Sequence, residues 1–151
     1  YVPLGSTANK QGRVAGTNAG GGEATFGGVV GTAITKAFEL GVSVTGLTEK
    51  AAAQLGRAAR AVRIEHGSRA HYYPSHGPIR VKLVWDPSDG RLLGAQIAGP
   101  VAEAKRIDVL ATALHHGLTI EDLQRLDLSY APPFSPVWDP ILVAANVAAK
   151  N

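Results

Sequence analysis

The sequence predicts an α+β fold, an antiparallel sheet with helices packed on one side, because strand-like segments come first and helix-like segments follow. Two further observations support this. "IRVKLVW" puts Ile79, Val81, Leu83 and Trp85 on one face and Arg80 and Lys82 on the other, and "DPSDG" then reverses the chain into "RLLGAQIAG", so the strands are antiparallel neighbours. Beyond residue 100, Ala104, Ile107, Leu110, Ala111 and Leu114 recur at helical spacing.

Taken in order, "STANKQGRVAGTNA" from Ser6 to Ala19 predicts a helix with a Ser/Thr cap, stopped by Gly20 to Gly22. Gly12 and Gly16 weaken it by about 1 kcal/mol each relative to alanine, a cost that close packing usually explains. "VVGTAITKAFE" and "VSVTGL", separated by "LG", predict two strands rich in β-branched residues. Thr48 caps a helix over "EKAAAQLGRA", with Glu49 in the first turn where the dipole favours an anion. "ARAVRIEH" alternates as a half-buried strand ahead of the hairpin. A helix over Val101 to His116 ends at Gly117, and Thr119 with Asp122 forms a capping box for a short helix through Leu126. Pro140 occupies the first turn of a last helix, "ILVAANVAAK".

At 151 residues, with 45% hydrophobic and 18% charged residues, the chain has enough apolar material for one principal domain. A net charge of +3 permits nucleic-acid binding, but the basic residues are scattered and their longest run is Lys105-Arg106, so no nucleic-acid partner is expected. Cysteine is absent, so any thiol chemistry is done elsewhere. No stretch reaches the roughly 18 apolar residues of a membrane span and no signal peptide is evident, which gives the expectation of a cytoplasmic protein without a membrane partner. The chain starts at Tyr1 and lacks methionine, so a piece of a longer polypeptide is expected.

The glycines between positions 16 and 31 match neither dinucleotide nor phosphate-loop spacing and read as a connector. The 5 histidines lack ligand spacing, and no metal is expected. A triad of Ser75, His71 and Asp86 cannot be deduced from sequence positions alone. Tyrosines stand out in "HYYPSHGP", with Tyr72 and Tyr73, and in "DLSYAPPFSPVWDP", with Tyr130. A phenol held by neighbouring prolines can donate a proton or hydrogen bond at a defined point. The same residues also suit core or interface packing with a hydrogen-bonded tip.

"ANKQGRVAGTNAGG", "GTAITKAFELGVSVTGLTE", "YYP", "GAQIAG", "KRIDVLATAL" and "LDLSYAPPFSPVWDP" together resemble the C-terminal portion of flavin-dependent pyridine nucleotide-disulfide oxidoreductases. The nearest branch is the group of coenzyme A-disulfide reductases, NADH oxidases and persulfide reductases. The resemblance implies residues 1–22 as the last helix of an FAD domain and 23–151 as a dimerisation domain. Upstream FAD and NAD(P)H domains would carry the catalytic cysteine, with FAD and NAD(P)H as cofactors of the whole enzyme, and this piece is expected to bind neither and to be inactive alone. It further implies Leu4, Gly5, Ser6, Ala8 and Asn9 as neighbours of FAD or substrate. Tyr72 and Tyr130 are implied as catalytic groups lent to the partner subunit of a homodimer formed through 23–151. Trp138 stands where some coenzyme A-specific relatives have a basic residue, a departure that counts against recognition of coenzyme A phosphates and leaves persulfide, polysulfide and oxygen as acceptors beside coenzyme A disulfide. A standalone protein-interaction module is the alternative.

Overall fold

A computed structural model describes residues 2–151. Its centre is a five-stranded antiparallel sheet in the order β1-β2-β5-β4-β3, formed by β1 (Ala33–Ala37), β2 (Leu40–Gly46), β3 (Arg60–Gly67), β4 (Pro78–Trp85) and β5 (Leu92–Pro100). The α+β expectation and the β4–β5 hairpin hold. Val81 pairs with Ile97 and Leu83 with Ala95, and a bulge at Val84/Trp85 ends the regular register. Ile79, Val81, Leu83 and Ile97 are almost completely buried, on the side taken by helices α3 (Ile107–His115), α4 (Ile120–Gln124) and α5 (Pro140–Ala148). Helix α3 lies against β5 and β2, while α5 lies against β3 and β4. On the opposite face Arg80 pairs with Glu65 at 2.7 Å, and Lys82 reaches Glu49 of helix α2 (Glu49–Gln54).

The Thr48 and Thr119 caps read from the sequence are present. Thr48 accepts from Ala51 N–H at the start of α2, and Thr119 and Asp122 form a reciprocal capping box. The Thr119 amide and hydroxyl both donate to the Asp122 carboxylate, which holds its pKa below the ordinary value. Asp139, which the sequence reading left without a role, also caps α5 by accepting from Ile141 N–H.

Four boundaries differ from expectation. Helix α1 (Gly5–Ala19) is entered through Leu4 without a side-chain cap, so Ser6 sits inside the first turn. Leu40 and Gly41 are strand residues rather than a turn, pairing with Pro100 and Gly99, and the reversal falls on Phe38, whose φ is 53°. Gly41 is needed for another reason: a Cβ there would stand 2.8 Å from the Ala104 Cβ, in the segment that crosses over β2. That segment, Val101–Arg106, is a 3-10 helix leading into α3 rather than a continuous α-helix. Finally, α2 and α4 stop at Gln54 and Gln124, short of the expected ends.

Ile107 is fully buried beneath the sheet. Ile107→Ala is expected to destabilise the domain by about 2–5 kcal/mol, measured by denaturant unfolding. A loss below about 1 kcal/mol would place the energetic centre of the core elsewhere.

Candidate functional site

Two segments bring the tyrosines together. The loop between β3 and β4 is closed at its base by Ser68, whose N–H donates to Gly77 O at 2.8 Å and whose hydroxyl accepts from Gly77 N–H at 3.2 Å. The connector before α5 is kept short by Phe134 N–H donating to Ala131 O at 2.9 Å, and its prolines lack donors of their own. Tyr72 from the loop and Tyr130 from the connector line one cleft of about 520 Å³, together with His66, His71, His76 and Val137. The His71 and Tyr72 rings meet edge to face with centroids 5.4 Å apart. Tyr72 is 67% and Tyr130 48% exposed, so both residues are open to an incoming group. Partial removal from water pushes the Tyr130 phenol above its usual pKa, and the charge and hydrogen bonding of the adjacent Tyr72 add to this. The phenol therefore keeps its proton through neutral and mildly alkaline pH.

Behind the cleft lies a charged network that sequence reasoning missed. Glu103, 6% exposed, accepts from Arg69 Nε at 3.0 Å and pairs with Arg106 Nη1. Arg106 Nε donates to Asp139 Oδ2 at 3.0 Å, and the Ser135 hydroxyl donates to the same oxygen at 3.2 Å. The available signal was Glu103 and Arg106 three positions apart within an otherwise apolar helical pattern, followed by Asp139 before Pro140.

The other predicted residues form a separate place. Leu4 and Ser6, with Thr7 and Lys10, face the loop Gly28 to Thr32 and His115 across a cleft of about 150 Å³, whereas Ala8 and Asn9 are exposed and lie outside its lining. Gly5 opens α1, and no acidic residue or side-chain cap occupies its first turn. Its first amides therefore point outward with the positive end of the helix dipole. Thr7 is only 7% exposed, and its hydroxyl makes no hydrogen bond to another described residue. Such a donor set fits the electron-rich edge of a flavin.

These two places lie at opposite ends of the sheet. The loop facing α1 is anchored where Gly46 N–H donates to Val30 O, next to the pairing of Gly46 with Gly94. The tyrosine loop leaves the other end, where Gly67 pairs with Pro78 and Leu40 with Pro100. The length of β2 separates the ends by about 20 Å, too far for one substrate atom to touch both in a single chain. Among the described residues no helix is long and apolar enough to cross a membrane, and no cluster of three or more His, Cys, Asp or Glu is placed to hold a metal.

Comparison with known proteins gives the relationship. The profile of the family described as pyridine nucleotide-disulphide oxidoreductase, dimerisation domain, matches residues 32–140. An NAD(P)H coenzyme A polysulfide/persulfide reductase of Pyrococcus horikoshii is 46% identical over 97% of this chain and 33% of its own length. An NADH oxidase of Methanocaldococcus jannaschii is 38% identical over 99% of this chain and 33% of its own. Among solved structures, an NAD-dependent persulfide reductase from A. fulgidus superposes with a TM-score of 0.93 at 47% identity, covering 98% of this chain and 28% of that one. The chain thus spans about a third of the length of the curated relatives it matches.

Proposed function

Because the chain belongs to the dimerisation-domain family of pyridine nucleotide-disulphide oxidoreductases, we propose that it is the C-terminal part of a cytoplasmic, homodimeric, FAD- and NAD(P)H-dependent reductase of a disulfide, persulfide or oxygen. Residues 23–151 form the dimerisation domain, and 1–22 the last helix of the FAD domain. The second assignment is supported by α1 itself, in which Thr7 is the one buried residue.

The observation that carries the reading is the separation of two chemically distinct places at opposite ends of one sheet. The α1 end, with free amides, suits FAD held by the same chain. The tyrosine end suits the acceptor side of the partner's active site. When bound, FAD would take the nicotinamide's hydride and pass the electron pair to a cysteine sulfur held by other parts of the polypeptide. Leu4, Gly5, Ser6 and the buried Thr7 would orient the flavin's edge and stabilise negative charge gathering there, with Ala8 and Asn9 beyond them on the outer side.

Tyr130 donates its proton, or a short hydrogen bond, to the thiolate departing from the acceptor, which lowers the cost of charge on sulfur. Tyr72 holds Tyr130 in its protonated form and supplies a second donor. The His66, His71 and His76 side chains surround the same cleft and offer ring nitrogens as hydrogen-bonding groups to an acceptor such as coenzyme A disulfide or persulfide.

The complete protein tests this directly. It is expected to purify as a flavin-bearing dimer that oxidises NADH or NADPH when given a coenzyme A disulfide, a polysulfide or oxygen. A colourless monomer without NAD(P)H oxidation on any of these acceptors would overturn the reading in favour of an interaction module.

A further inference from the structure

We propose that Arg106 is the positioning residue of the tyrosine cleft: its one guanidinium ties the Tyr72 loop to the Tyr130 connector and thereby fixes the relation of the two phenols. The consequence for turnover rests on the reading of those tyrosines as active-site groups, whereas the tie itself does not.

Every face of the guanidinium is used. Nη2 donates to Ser68 O at 3.2 Å, in the loop that carries Tyr72, and to Phe134 O at 2.6 Å, in the connector that carries Tyr130. Nε donates to Asp139 at 3.0 Å, where the connector enters α5, and Nη1 pairs with buried Glu103. The side chain is 13% exposed. No backbone hydrogen bond joins the two segments directly among the described residues, and the Arg106 side chain donates to a backbone carbonyl of each.

A structural reading of the same arginine would need only charge balance, which Arg69, Glu103 and Asp139 share with it. Balance does not call for donation to two backbone carbonyls in two different segments. The planar fork of arginine reaches both at once, and a lysine ammonium at the same place is a single point without that spread. Arg106 is also the N-cap residue of α3, which packs against β5 and β2, so both segments are referred to one base on the sheet.

The test compares Arg106→Lys, which keeps the charge, with the double variant Arg106→Met/Glu103→Gln, which removes one charge of each sign from the network and takes the place of the lysine variant if that one does not fold. In the complete, flavin-loaded protein, amide hydrogen exchange is expected to speed up about tenfold or more in residues 68–77 and 129–138 together, with the strands unchanged. The Tyr130 phenol, no longer held beside Tyr72, is expected to titrate lower, towards ordinary tyrosine. Its titration is read as the phenolate absorbance lost in Tyr130→Phe. Turnover falls at least about tenfold, with KM little changed.

Loops that keep their parental exchange, or a loosening spread evenly through the strands, overturn the proposal. Loosened loops with parental turnover uphold the tie and sink the catalytic reading of the tyrosines instead.

Discussion

Tyr130→Phe is expected to lower the turnover of the complete protein on a thiol-releasing acceptor by about a hundredfold, the scale on which a positioned general acid acts. The substitution removes one oxygen and leaves the ring. Tyr130 is 48% exposed, so the loss of stability should stay within about 0.5 kcal/mol. Binding is expected to change less than turnover, because the phenol's contribution grows only as charge develops on the departing sulfur. The pH dependence carries a sign. Desolvation and the neighbouring Tyr72 raise the Tyr130 pKa, so the donor proton is present below the ordinary tyrosine value of about 10 and is lost only above it. The parental rate should therefore hold through mild alkali and fall beyond it, and the Phe variant should lack that fall. Steady-state rates between neutral pH and strong alkali settle the matter. Parental turnover in the Phe variant would confine Tyr130 to packing.

Where local chemistry decides conformation, the sequence was informative. The alternation of Ile79, Val81, Leu83 and Trp85 matches the buried face of β4, and the Thr48 and Thr119 caps obey rules that need only a few neighbouring residues. Leu40-Gly41 was misread because a glycine that permits a turn and a glycine that lets another segment pass close look alike in one dimension. Only the Ala104 contact distinguishes them. The Val101–His116 pattern likewise conceals its 3-10 start, because apolar spacing over one turn fits both helices.

The site was legible in its parts but not in its joins. Tyr72 and Tyr130 were identified by their proline-rich settings, yet their convergence in one cleft depends on β3, β4 and α5 packing side by side. Arg106 drew notice only as half of a basic pair, and its burial between two carboxylates reverses that meaning.

The arrangement in trans yields the other large expected effect. Two inactive variants of the complete protein are mixed, unfolded and refolded together: Tyr72→Phe/Tyr130→Phe, and a variant disabled in the flavin-bearing region. If tyrosines serve the partner's flavin, each hybrid dimer has one site with both lesions and one with neither. Random pairing makes about half the dimers hybrid, and half of their sites are intact, so activity is expected to return to about a quarter of the parental value per subunit. If tyrosines served their own chain's flavin, every site in every hybrid would carry one lesion and the mixture would stay inactive. The separation of about 20 Å between the tyrosine end and the α1 end favours the first outcome, because no side chain spans that length. Recovery measured after refolding, with each variant refolded alone as background, decides between the two, and the absence of recovery in mixtures whose hybrids are demonstrated by mass would overturn the shared-site reading.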